Sequence, residues 1–369
     1  MVTEIHIDNY KCLTDFPIEP EDFQLWLGDN GSGKSSILSA LGGIQRLLHG
    51  DLIDDVFQVN SLTAWGNRDD QSFKIGMDIE GDKYEYLLIL EYSRNLRKVR
   101  IKKEQLRWNK SVFFFFDGKD AHLFRINADT GKVEEGASFP ADWSRSVIRT
   151  IAERTDNRPL IKFRESLDRW LIINPIPYAI NQLSEKDNTS LSFHAENFAE
   201  WCSYLFQEEP AIGHKATKLL SMVLPGFEEV SLEKSGNVRR LMATFRVEKK
   251  DLKFEFKELS EGQRQLIVLY MLLEALRSGI YDSIFIDEPD NFVSLREIQP
   301  WINNMRDACE EEGRQSVIIS HHPEIINTMG RGEELLFWRN EKGEVCKKKI
   351  PDYSDLLPAE IIARGWENE

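Results

Sequence analysis

The run Gly28-Asp29-Asn30-Gly31-Ser32-Gly33-Lys34-Ser35 narrows what this chain can fold into more than any other feature. It follows a short apolar stretch, Phe23 to Leu27. It precedes a segment in which Ile37, Leu38, Leu41, Ile44, Leu47 and Leu48 fall on one helical stripe that Gly50 is placed to stop. A strand, a tight loop and a helix in that order aim successive backbone N–H groups at one point. The glycines permit the turns, and the helix start adds the positive end of its dipole. The run fits the pattern G-x-x-x-x-G-K-[ST] at every required position, so the spacing predicts a phosphate-binding loop, the Walker A motif. Gly28, Asp29, Asn30, Gly31, Ser32, Gly33 and Ser36 are expected to line it, Lys34 to neutralise the β- and γ-phosphates of ATP, and Ser35 to offer its hydroxyl to Mg²⁺.

Three further runs carry chemistry. Ser283-Ile284-Phe285-Ile286-Asp287-Glu288 is a short apolar stretch that ends in two carboxylates. Neighbouring side chains on an extended segment point opposite ways. Asp287 is therefore expected in the Mg²⁺ shell and Glu288 opposite the γ-phosphate, where it orients or deprotonates the attacking water. Alone, the run reads as a strand with an acidic end; beside the phosphate loop it reads as the second half of an ATP site. Leu259-Ser260-Glu261-Gly262-Gln263-Arg264-Gln265 contains a capping-box pattern, Ser260 with Gln263, ahead of a segment, Leu266 to Leu276, that is apolar nearly all round and so buried. Val317-Ile318-Ile319-Ser320-His321-His322-Pro323 is a β-branched strand that ends in histidine. Taken singly, His321 reads as a polar strand cap.

In their order along the chain the four runs resemble those of the ABC-type ATPases. Leu259 to Gln265 looks like the LSGGQ signature, with Glu261 where the first glycine usually stands. In that superfamily the signature serine and the following helix N-terminus bind the γ-phosphate of nucleotide held by the other subunit's phosphate loop. The resemblance thus implies that Ser260, Gly262 and Gln263 act in trans within a head-to-tail dimer. It likewise implies that His321 is a switch histidine contacting the γ-phosphate beside Glu288, with His322 as the fallback. Asp290 to Leu295 stands in the D-loop position but lacks the usual Ser-x-Leu-Asp form, and no glutamine is assigned to the Q-loop.

About 225 residues separate the phosphate loop from the signature. That filling resembles the RecF-like, SMC-like and OLD-like branch. No sustained heptad pattern supplies SMC-type coiled-coil arms, and the chain stops too soon after Pro323 for the TOPRIM nuclease domain of OLD proteins. It is most similar to compact bacterial AAA-type (ABC-class) ATPases paired with a separately encoded effector, such as a nuclease or toxin, many of them in antiphage defence. ATP and Mg²⁺, self-association as a dimer or higher oligomer, and control of such an effector follow as expectations. The alternative is a RecF/SMC-like DNA-repair ATPase.

Between these runs the hydrophobic period changes. From Gln71 to about Arg125 it is two, with turns at Gly81-Asp82 and Asp117-Gly118, which predicts an antiparallel sheet that buries Phe113 to Phe116. From Ser146 to Leu224 it is helical, broken by Pro175, Pro177 and Pro210. A β-like pair, Leu241 to Val247 and Leu252 to Phe256, follows around Gly236-Asn237. The expected fold is α/β, an ABC-ATPase-like P-loop fold with a mixed sheet, an antiparallel β subdomain and an inserted helical lobe. Its expected divisions are residues 1–145, 146–225 and 226–369.

Cys12, Cys202, Cys309 and Cys346 are scattered, which argues against a zinc knuckle or disulfide framework. No stretch is apolar for long enough to span a membrane, and the start of the chain is acidic where a signal peptide is basic, so a cytoplasmic location is expected. The formal charge of −15 repels nucleic acid at long range. DNA contact would need the local run Arg97 to Lys110, in which Arg100 and Lys102 share a strand face opposite Val99 and Ile101. A solvated strand face or a dock for an acidic partner is the equally weighted reading of that run.

Overall fold

A computed structural model describes residues 1–127, 129–321 and 334–349. The chain divides into two compact units. One comprises Met1–Glu21, Gly28–Trp170 and Leu336–Lys348, and the other Asp22–Leu27 with the described part of Leu171–Leu335 and Lys349.

The first unit holds an antiparallel sheet in the order Phe16–Ile18, Val2–Asp8, Asp70–Ile79, Asp82–Ser93, Lys98–Trp108, Ser111–Phe116, Asp120–Ile126 and Val133–Pro140. Its middle strands alternate as the period of two requires. In Asp82–Ser93 the residues Tyr84, Tyr86, Leu88, Leu90 and Tyr92 are buried while their neighbours are not. Of the four phenylalanines, Phe113, Phe114 and Phe116 are fully buried; Phe115 instead stacks on His122 at the surface. The helix Arg158–Asp168 lays Phe163 against Tyr84 and Tyr86, with ring centroids 6.3 and 5.4 Å apart.

Alternation fails at Lys102–Lys103. The register shifts between Ile89 and Leu90, pairing Ile89 with Lys103 and Leu90 with Ile101, so Lys102 is an extra, bulged residue. Beyond the bulge, Glu104 points inward and is completely buried. It accepts hydrogen bonds from Tyr86 Oη at 3.0 Å, Ser146 Oγ at 2.5 Å and the Val147 amide at 3.0 Å. Burial pushes its carboxyl up to about 7 against those donors, which favour the charged form.

The second unit contains the strands that lead to the candidate site. Phe23–Gly28, Gln315–Ile319 and Ser283–Asp287 are adjacent and parallel, with Ile319 level with Trp26 on one side and with Asp287 on the other. Every residue of the latter two strands is buried, as expected for central parallel strands covered on both faces. The helix Glu261–Arg277 is buried from Gln265 to Leu276, matching its apolar sequence. Leu295–Glu312 is the amphipathic partner, and its Trp301 indole donates to Leu269 O at 2.8 Å.

Further strands form a small sheet in which Phe227–Ser235 and Val238–Val247 flank the Gly236-Asn237 turn and Lys250–Glu255 pairs with Val238–Val247. Phe227–Ser235 escaped the sequence reading because its acidic, mixed composition (Glu228, Glu229, Glu233) lacks a clean period of two. The segment 146–225 carries the helices Arg158–Asp168, Phe198–Glu208 and Pro210–Val223, with the strand Trp170–Ile173 among them. That strand is buried along its whole length, and a short apolar run of this kind looks the same in a helix or a strand.

Candidate nucleotide site

The strand Phe23–Gly28 runs into the loop, and the helix Lys34–His49 of the first unit leaves it. Steric demand explains two of its glycines. Gly28 has φ 137°, and a Cβ there would lie 2.1 Å from the Phe337 carbonyl oxygen. Gly33 has φ 108°, and its Cβ would lie 2.6 Å from Val345 Cγ2. The helix start carries no side-chain cap and no acidic residue in its first turn. Its N-terminal amides and positive dipole end thus have no anionic side chain of the first turn to satisfy them.

Lys34 is buried and curls over the loop. Its Nζ donates to Gly28 O at 2.6 Å, Asp29 O at 3.2 Å and Ser32 Oγ at 3.1 Å. Asp29, Asn30, Gly31 and Ser35 are exposed around it, while Ser32 is buried. The Cys12 thiol donates to Ser36 Oγ at 3.6 Å.

In the second unit Asp287 closes its strand with its side chain nearly inaccessible. The next residue, Glu288, turns sharply, with φ 50°. That conformation is uncommon outside glycine and is held here by its amide, which donates to Ile319 O at 2.8 Å. Its carboxylate meets two groups: Oε1 lies 3.2 Å from His321 Nδ1, and Oε2 accepts from Asn291 Nδ2 at 2.8 Å. The structure thus brings Glu288 and His321 together. His322 lies outside the described residues.

Ser260 caps the helix Glu261–Arg277. Its Oγ accepts from the Gln263 amide at 3.2 Å, and its own amide donates to Gln263 Oε1 at 3.0 Å, a reciprocal box. Glu261, in place of a glycine, is exposed in the first turn. Gly262 does need to be glycine, since a Cβ there would lie 2.7 Å from the Phe292 carbonyl oxygen. Gln265, fully buried, donates from Nε2 to Pro289 O at 3.1 Å. The helix start is thereby packed onto the loop that follows Glu288. Sequence reasoning missed Gln265 and Asn291; their only signal was a polar residue inside an apolar helix and an amide three places after the acidic pair.

Taken unit by unit, the residues have the chemistry a magnesium nucleotide asks for. In the first unit the uncapped helix start suits phosphate and Ser35 is a hard oxygen donor of the kind Mg²⁺ takes; in the second, Asp287 is another such donor.

The cationic run of the first unit is interleaved with acid. Arg100 pairs with Glu91 at 2.5 Å, Lys102 with Asp70 at 2.5 Å, and Arg107 lies 3.8 Å from Glu85. Lys103 sits over the Phe115 ring. Cations already paired with carboxylates form a weak track for a phosphate backbone.

A sequence-family model described as "AAA domain, putative AbiEii toxin, Type IV TA system" matches residues 27–327, most of the chain and all four motifs. The chain belongs to this family. No curated protein matches it in sequence. Its fold is similar to the Smc head bound to the C-terminal winged-helix domain of ScpA, with a TM-score of 0.55, 11% identity and coverage of 95% of this chain and 97% of that one. It is also similar to the Smc head domain with an extended coiled coil bound to the C-terminal domain of ScpA from Pyrococcus furiosus, with a TM-score of 0.54, 10% identity and coverage of 100% and 99%. The AAA-domain family and the Smc-head-like fold agree with one another. The expected fold class, with its mixed sheet, antiparallel β subdomain and helical lobe, holds. Among the described residues no helix is long and apolar enough to cross a membrane.

Proposed function

We propose that the chain binds ATP with Mg²⁺, hydrolyses it, and uses the cycle to close and open a head-to-tail dimer that controls a separately encoded effector. The observation that carries this reading is the pairing of Glu288 with His321 at the end of parallel strands whose neighbour, Phe23–Gly28, runs directly into the phosphate loop.

Lys34 and the loop amides hold the β- and γ-phosphates. Glu288 orients water in line with the γ-phosphorus and draws a proton from it as the P–O bond to the leaving ADP breaks, while His321 steadies the carboxylate and the terminal oxygens. Ser35 and Asp287 would hold Mg²⁺, which neutralises developing charge on the phosphates. Ser260, with Gly262 and Gln263, meets the γ-phosphate of the facing copy. Its hydroxyl and the exposed helix start suit an anion, and the capping box can exchange one acceptor for another. Each complete site then needs two protomers, so ATP joins them and hydrolysis releases them.

The effector reading is supported by the toxin system named in the family description. The repair alternative draws less support, because three cations of the Arg97–Lys110 run, Arg100, Lys102 and Arg107, face Glu91, Asp70 and Glu85. The test is light scattering of Glu288→Gln with saturating ATP. A stable dimer is expected, with the wild type reverting to monomer as ATP is consumed; a Glu288→Gln protein that stays monomeric contradicts the reading.

A further inference from the structure

We infer that Asn291 is a positioning residue that fixes the carboxylate of Glu288 for attack on the γ-phosphate; the inference rests on the hydrolytic role proposed for Glu288. A glutamate side chain has three rotatable bonds, and this one starts from a left-handed backbone that aims it away from the line of its strand. Something must choose among its rotamers.

Two donors bracket it. His321 Nδ1 lies 3.2 Å from Oε1, but whether that nitrogen carries a proton depends on tautomer and charge. The Asn291 amide is different, because its Nδ2 is always a donor and never takes up a proton. At 2.8 Å from Oε2 it pins one oxygen, so that Oε1, which His321 meets at 3.2 Å, keeps a lone pair for water.

The distance is set locally. The Asn291 amide N donates to Glu288 O at 3.2 Å, closing a turn that puts the two side chains on one side. That turn is anchored from below by fully buried Gln265, whose Nε2 holds Pro289 O at 3.1 Å, and it is crowded at Phe292 O by Gly262. The signature helix, the turn and the carboxylate are therefore one packed assembly.

A purely structural role, closing the turn, would be filled equally well by aspartate, which favours turns as asparagine does. Positioning would not, since aspartate puts a second negative charge where a donor is needed. The two roles therefore rank the variants in opposite order.

The experiment is steady-state ATP hydrolysis by the full chain as Asn291→Ala, Asn291→Ser and Asn291→Asp, with Glu288→Gln in parallel. Asn291→Ala, and Asn291→Ser, which closes turns but is too short to reach the carboxylate, should lose roughly 10-fold in kcat with KM for ATP nearly unchanged. Asn291→Asp should lose roughly 100-fold. Asn291→Asp turning over as fast as the wild type, or faster than Asn291→Ala, overturns the inference. Should Glu288→Gln itself turn over like the wild type, the underlying assignment of Glu288 fails instead, and the two failures are told apart.

Discussion

The phosphate loop and the acidic strand end solve the same problem, holding charged groups still, in opposite ways. In Gly28–Ser35 the backbone does the work. Glycines that cannot carry a Cβ shape the loop, and the helix behind it starts with no side-chain cap. Around Glu288 side chains do the work: Asn291 and His321 engage the carboxylate, Gln265 the next carbonyl, and Ser260 and Gln263 cap one another. The loop amides and helix start face an anion as folded, whereas Lys34, bonded to Gly28 O, Asp29 O and Ser32 Oγ, and the side chains around Glu288 are satisfied internally and would have to exchange partners to meet one.

The contrast is sharpened first by Lys34→Ala. The variant removes the ammonium together with its hydrogen bonds to Gly28 O, Asp29 O and Ser32 Oγ, so a modest loss of stability should accompany a fall in ATP affinity of roughly 100-fold or more by calorimetry. An affinity within a few-fold of wild type would break the comparison.

A second test concerns a buried carboxyl away from the site. Glu104, with its carboxyl raised to about 7, is protonated in the fold at a pH where the unfolded chain has lost the proton. Its stabilising contribution is therefore full below the ordinary glutamate range and is lost as pH rises toward 7, by about 3 kcal/mol at most. Chemical denaturation from pH 4.5 to 8 should show that slope in the wild type and a flatter profile in Glu104→Gln.

Gly262→Ala comes next. It drives a methyl group into the Phe292 carbonyl and should cost about 2 kcal/mol of stability, together with part of the turnover, since the turn carrying Asn291 must move. Smallest in stability is Ser260→Ala, which loses one cap, about 1 kcal/mol by denaturant titration. Its hydrolysis should nevertheless fall far more than that loss explains, since the proposed reading gives the serine a role beyond capping.

How much of this was legible depended on locality. The phosphate loop could be read because its eight positions are consecutive and each residue type has a local reason. Ser260 and Gln263 announced their cap by spacing, and Ser283–Asp287 its burial by composition. The bulge at Lys102, which turns Glu104 inward, was not legible, because register depends on the neighbouring strand. Nor were the carboxylates facing Arg100 and Lys102, which arrive from Glu91 and Asp70 on other strands. Asn291 and Gln265 looked like ordinary polar residues until the turn and the helix were brought together.

The central claim, that Lys34 of one copy and Ser260 of another serve a single nucleotide, is tested most directly by mixing Lys34→Ala with Ser260→Ala. Each variant alone should be nearly inactive. A random mixture should recover roughly a quarter of wild-type turnover, because half the dimers then hold one intact site of two. A mixture no more active than the sum of its parts, measured where wild-type dimers form, would contradict it.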